Sequence, residues 1–178
     1  MPTTTHQVDT NAGVIDVHIF EPKKTSTIIG TIVTVHPWAT LGGSEHNTIG
    51  LARHIVNSKL KNDTGWRVIT FNMQSTPILK GGILGGVLCA HAYEVQQIIA
   101  VVNWVSKTCG KDHNIILLGL SAGAPQSGSA LAQLEQEKNV NISAYIAVGY
   151  PLYLNHTILF TSRLCPLLLK KPCFAFFF

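Results

Sequence analysis

From Val14 to Phe20, apolar Ile15, Val17 and Ile19 alternate with polar Asp16 and His18, the two-residue period of a strand buried on one face. This segment is predicted as an outer strand. Thr27 to His36 (TIIGTIVTVH) is instead a nearly unbroken β-branched run, and so are the shorter Arg67 to Phe71, Asn114 to Leu118 and Ala144 to Val148. Strands apolar on both faces belong in the middle of a covered sheet. Between them the period becomes helical. Ile49, Ala52, Ile55 and Val56 follow a possible Ser44 cap, and Ile98, Val101, Val102 and Val105 form an i, i+3, i+4, i+7 stripe that stops near Gly110. A third helix is predicted from about Ala122 to Glu137, with Pro125 in its first turn, where a missing amide hydrogen costs nothing. Strand and helix thus alternate, which predicts an α/β fold: a mostly parallel central sheet with helices on both faces and right-handed crossovers.

From Pro151 the character changes. PLYLNHTILFTSRLCPLLLKKPCFAFFF contains no Gly, Asp or Glu, and Pro172 to Phe178 reads as another apolar strand. The chain divides at this level into residues 1–153, the body of the domain, and residues 154–178, an apolar tail.

Composition narrows the classes. The 178 residues are 46% hydrophobic and 12% charged, enough for one domain and too apolar for a disordered one. The net charge is +4, yet no basic block exceeds Lys23-Lys24 or Lys170-Lys171, so no stripe tracks a phosphate backbone and nucleic acid is not an expected partner. Cys89, Cys109, Cys165 and Cys173 show neither metal spacing nor CxxC, and the opening MPTTTHQVDTN lacks the basic and apolar regions of a signal peptide. A reduced, cytoplasmic chain is expected, in which the sequons at Asn62, Asn141 and Asn155 are accidental. The most apolar stretch, Thr157 to Phe178, is broken by Arg163, Pro166, Lys170 and Lys171, so no membrane span is expected. Nothing implies a metal or an organic cofactor.

Gly119-Leu120-Ser121-Ala122-Gly123 follows the strand Asn114 to Leu118 directly and opens the third helix. This is G-x-S-x-G in the setting that gives it meaning. A serine at so sharp a turn is held in a strained conformation with its hydroxyl above the strand end, and the flanking glycines let strand and helix approach. The Ala122 amide, at a helix N-terminus, then points at the oxygen of a tetrahedral intermediate.

At this point the sequence resembles the α/β-hydrolase superfamily, over about Gly13 to Leu152, and most of all its esterase, dienelactone-hydrolase-like and serine-aminopeptidase-like branches. A second correspondence is His36-Pro37-Trp38, leaving its strand, followed by Gly42-Gly43-Ser44 before a helix. The resemblance implies Ser121 as nucleophile, the Trp38 and Ala122 amides as oxyanion hole, Gly119 and Gly123 as elbow glycines, and a small-molecule acyl substrate. His36 itself reads as a strand cap rather than a base. After Arg67 to Phe71 many members carry an Arg-Gly-x-Gly-x-Ser turn, where this chain has Asn72-Met73-Gln74-Ser75-Thr76-Pro77 and a later Gly81-Gly82.

Serine needs a histidine to take its proton and a carboxylate to fix that histidine's tautomer. In the superfamily these follow the serine in the order acid, then His. Here no Asp or Glu follows Glu137, and the only histidine after Ser121 is His156, a loop residue and a weak candidate base. Glu135 and Glu137 fall some three to four turns beyond Ser121, roughly 20 Å at 1.5 Å per residue. Asp112, His113 and His91 are assigned to the opposite end of the sheet. Lys171-Pro172-Cys173-Phe174 resembles the start of the strand that normally bears the acid. The chain therefore reads as the N-terminal two-thirds of a hydrolase, a fragment, a truncated isoform or a frameshifted product, inactive or nearly so in this form. A non-catalytic alternative is association with a partner or second subunit through the exposed tail strand, with misfolding as its rival. A nucleotide-binding domain is disfavoured, since neither G-x-G-x-x-G nor G-x-x-x-x-G-K-[ST] occurs.

Overall fold

The computed structural model describes residues 4–10, 13–22, 27–37, 43–58, 60–74, 82–149 and 174–177, with the backbone course alone at 61 and over 82–92 and 174–177. The chain passes through β1 (Thr4–Thr10), β2 (Gly13–Phe20), β3 (Thr27–Val35), α1 (His46–Asn57), β4 (Thr64–Phe71), α2 (Gly82–Cys109), β5 (Ile115–Leu120), α3 (Gly123–Glu137), β6 (Ile142–Val148) and β7 (Phe174–Phe177). These strands form one sheet in the order β1-β2-β4-β3-β5-β6-β7. β1 and β2 form an antiparallel hairpin, β2 joins β4 antiparallel, and every pairing from β4 to β7 is parallel. The predicted α/β architecture holds.

Side-chain alternation divides the core in two. Val17, Ile19, Val33, Val35, Ile69, Phe71, Ile115, Leu117, Tyr145 and Ala147 meet Val95, Ile98, Val102 and Val105 of α2 and Leu131 and Leu134 of α3. Phe20, Ile32, Val68 and Leu118, from the other face, meet Ala52 of α1 with Ile49, Ile55 and Val56 around it. Successive strand residues point to opposite faces, so the unbroken apolar runs of β3, β4 and β5 follow directly from helices on both sides.

Three local expectations are corrected. Val14 to Phe20 is not an outer strand, because β1 lies outside it. Ser44 does not cap α1. Glu45 occupies that position without a side-chain cap bond, because its carboxylate is drawn instead to His18 Nδ1 (2.5 Å) and accepts from Thr70 Oγ1 (3.3 Å). Third, α2 extends N-terminally to Gly82, far beyond the four-residue apolar stripe that predicted it. No helix among the described residues is long and apolar enough to cross a membrane.

Candidate active site

β5 continues through Gly119 and Leu120, and α3 starts at Gly123, leaving Ser121 and Ala122 to make the turn between them. Ser121 has φ 51°, the left-handed region that costs a residue with a Cβ about 1–2 kcal/mol. Its backbone is fixed on both sides: its N–H donates to Val148 O (2.8 Å), and its C=O accepts from Ala124 N (3.0 Å). The residue is exposed. Gly149, at φ 63° just past β6, lies against the Ser121 backbone. The Ala122 amide is taken up by no hydrogen bond among the described residues, and it stands at the positive end of the α3 dipole.

The two flanking glycines work by close approach. A Cβ on Gly119 would press on Ser127 Oγ and lie 2.5 Å from Ala124 Cα. One on Gly123 would strike the His36 carbonyl and lie 2.7 Å from Val35 O. The N-terminus of α3 therefore rests on the last residues of β3. Two hydroxyls brace the same turn. Ser127 Oγ donates back to Gly123 O (2.8 Å), and buried Tyr145 of β6 donates its hydroxyl to Ala124 O (2.5 Å).

His36 joins this turn to the segment after β4. Its Nδ1–H donates to Pro37 O (2.5 Å), and its Nε2 accepts from Met73 N–H (3.0 Å). A carbonyl only accepts and an amide only donates, so the partners fix the neutral tautomer. Burial pushes its pKa down from the ordinary value, against smaller opposing effects of the Pro37 carbonyl and Glu45. Both ring nitrogens being used, His36 has no lone pair left for Ser121.

Of the segment that replaces Arg-Gly-x-Gly-x-Ser, the described residues Asn72 to Gln74 are pinned one by one. Asn72 Oδ1 accepts from Glu45 N–H (2.8 Å), Met73 N–H goes to His36, and Gln74 is gripped by the fully buried Gln97 of α2. Gln97 Oε1 accepts from Gln74 N–H (2.7 Å) and its Nε2 donates to Gln74 O (2.9 Å), as a neighbouring strand would. Gln97→Ala leaves both peptide groups without these partners. A loss of about 1–3 kcal/mol is expected in urea unfolding.

His113 and His18 lie away from Ser121. His113 is at the far end of the sheet, as expected, its Nε2 against Thr31 Oγ1 (2.8 Å). Its pKa is lowered by burial, with Arg67 adding to the shift. His18 forms a histidine–carboxylate pair with Glu45, a base-and-orienter arrangement that sequence reading missed. It sits on β2, however, opposite Thr70, and β2 is three strand spacings from β5, ~14 Å at about 4.8 Å each. That separation keeps it from Ser121. Glu135 and Glu137 end α3, remote from the turn, as expected.

His91 requires a correction. The sequence reading puts it at the opposite end of the sheet, but a helix following a parallel strand leaves from that strand's C-terminal end. α2 does so, and Gln97, six residues beyond His91, still holds Gln74 just past β4. The backbone of His91 is therefore at the same end as Ser121. Trp38 and His156 lie outside the described residues, as does most of the tail. Among the described residues no group of three or more His, Cys, Asp or Glu is placed to hold a metal.

No family model and no curated protein matches the chain. Solved structures do. An α/β serine hydrolase homologue from Coxiella burnetii superposes with a TM-score of 0.66 at 20% identity, over 99% of this chain and 73% of that one. An α/β serine hydrolase without lid from Xanthomonas campestris gives 0.60 at 20%, over 99% and 85%. A bacterial heroin esterase gives 0.65 at 11%, over 83% of this chain but only 44% of its own length. The chain has the α/β-hydrolase fold and spans less than half of that esterase.

Proposed function

We propose that Ser121 is the nucleophile of a serine hydrolase acting on ester, thioester or amide bonds of a small acyl substrate. Its hydroxyl oxygen attacks the carbonyl carbon, and the carbonyl oxygen takes the negative charge toward the amides of Ala122 and Trp38. Collapse expels the leaving group and leaves an acyl ester on Ser121, which water then hydrolyses. The observation that carries this reading is the left-handed, exposed, non-glycine Ser121 between β5 and α3. Strain of that kind collects at functional turns, and the solved structures that share this fold are described as esterases and serine hydrolase homologues.

The same reading sets the expected rate. The hydroxyl proton needs a base. His36 is committed at both nitrogens, His18 is three strands away, and no carboxylate follows Glu137 in the sequence to serve as the acid for any other histidine at this end of the sheet, His91 included. The 178-residue chain is therefore expected to react slowly, with only the residual catalysis of oxyanion stabilisation and binding. A fluorophosphonate probe tests this. Slow labelling confined to Ser121 and lost in Ser121→Ala is expected; labelling that survives that substitution refutes the assignment. Rapid turnover of a nitrophenyl ester would show that a base reaches Ser121 after all.

A further inference from the structure

α2 and α3 run side by side in the same direction, as their cross-links show: Gln96 Nε2 donates to Gln133 Oε1 (3.0 Å) and, further along, Ser106 Oγ donates to Asn139 O (3.3 Å). Near the top of this seam lies an unusual contact. Glu94 of α2 is fully buried, and Gln126, in the second turn of α3, is 3% exposed. Gln126 Nε2 donates to Glu94 Oε2. The other oxygen of each group, Glu94 Oε1 and Gln126 Oε1, is buried without a partner.

Two buried acceptors, one on each of two hydrogen-bonded side chains, are left without a donor. A carboxylate supplies none, whereas a carboxylic acid does. We propose that Glu94 is held as the neutral acid and closes a two-bond ring with the Gln126 side-chain amide, so that losing its proton loosens α3, and the turn carrying Ser121, from α2. In the ring, Gln126 Nε2–H donates to Glu94 Oε2 and Glu94 Oε1–H donates to Gln126 Oε1. Both orphaned oxygens are then accounted for by one hydrogen atom. On ionisation that proton goes to solvent. One bond is lost, and a negative charge is left in the seam.

The surroundings favour the neutral form. Burial raises the Glu94 pKa to about 7. The described ionisable groups on elements packed against α2 are His6 and Asp9 of β1, both exposed, Arg67 of β4, which donates to Cys109 Sγ (3.0 Å) at the C-terminal end of α2, and Glu135 and Glu137 at the far end of α3; Asp16 and His18 of β2 alternate with Val17 and Ile19 and so face away from α2, and β3 has none. On α2 itself Tyr93 is adjacent, His91 lies one turn before and Lys107 some three turns beyond. His6 packs against Trp104, about ten residues further along α2. No basic group among these pairs with Glu94.

A carboxyl whose pKa is raised in the folded state stabilises the fold fully below its unfolded pKa, and that stability is lost as pH rises through the folded pKa. For Glu94 the window runs from about 4.5 to about 7. The unfolding equilibrium should therefore shift toward the unfolded chain by roughly three hundredfold across it. The ring is independent of what Ser121 does; only its bearing on reactivity rests on the reading above.

Carbon-detected NMR of the glutamate-labelled 178-residue protein, with Glu94 assigned through its own backbone amide, should show its carboxyl titrating near 7. Protection from hydrogen exchange over 123–127 should fall in step, and by more than in α1. Glu94→Gln preserves two bonds as an amide pair, and it should abolish both the fall and the loss of stability. A Glu94 carboxyl titrating at an ordinary value in the wild-type protein overturns the proposal, and that measurement does not depend on any variant folding. So does a Glu94→Gln protein that keeps the wild-type pH dependence of its α3 protection. A missing fluorophosphonate label would bear on the hydrolase reading alone.

Discussion

Gly123→Ala should be among the most damaging single-methyl additions possible in this protein. The new Cβ would strike the carbonyl of His36 and lie 2.7 Å from that of Val35. Both are main-chain atoms at the end of β3, which is hydrogen-bonded to β4 on one side and β5 on the other. Neither can rotate away, as a side chain would. Overpacking a core usually costs about 1–3 kcal/mol because flexible side chains absorb part of it; here at least about 3 kcal/mol is expected, read as a drop in the urea midpoint at unchanged slope. Gly50→Ala is the internal control. Gly50 is exposed in α1, and a methyl group there would meet nothing within 4 Å, so the same change should stabilise by about 0.5–1 kcal/mol. Equal effects at both positions would mean that α3 does not rest on β3 as described.

Ser121→Gly should abolish fluorophosphonate labelling and at the same time make the protein more stable. At φ 51° the serine Cβ is strained, and glycine adopts that conformation freely. The relief, about 1–3 kcal/mol, exceeds the extra chain entropy that glycine brings to the unfolded state, about 0.4–1 kcal/mol. A net gain of about 1 kcal/mol is expected. Ser121→Ala separates the two effects, because alanine removes the hydroxyl but keeps the Cβ. It should be equally silent to the probe without the gain in stability. Such a pattern is what a turn kept for its chemistry leaves behind. A glycine variant no more stable than the alanine one would remove the strain argument for Ser121.

What could be read from the sequence was local or periodic. The five residues from Gly119 to Gly123 are consecutive, so the strand–serine–helix turn is visible without knowing where any other segment goes. The apolar runs likewise located β3, β4, β5 and β6 to within a few residues. β1 escaped because a sheet-edge strand has little to bury: of Thr4 to Thr10 only Val8 is buried. The pair of His18 and Glu45 joins residues 27 apart through a fold that no spacing announces. Glu45 also illustrates a competition, since its carboxylate serves β2 and β4 rather than its own helix end.

The buried Glu94 was within reach. Carrying the stripe of Ile98, Val101 and Val105 back by one turn lands on Glu94, and a carboxyl on an apolar face calls for a partner. Its partner was hidden among the small and polar residues of the third helix, where nothing in the local pattern singles out Gln126. The end of the sheet to which His91 belongs was legible too, once the direction of a helix leaving a parallel strand is applied.

The grip of Gln97 on the peptide groups of Gln74 has a consequence for which substitutions this chain can accept. The side-chain amide reads only main-chain atoms, and the Gln74 side chain is exposed, reaching just the Val14 carbonyl. Every amino acid but one presents the same N–H and C=O there. A saturation library at position 74 should therefore recover nearly the whole amino-acid alphabet among folded clones, with proline, which has no N–H to give, as the conspicuous gap.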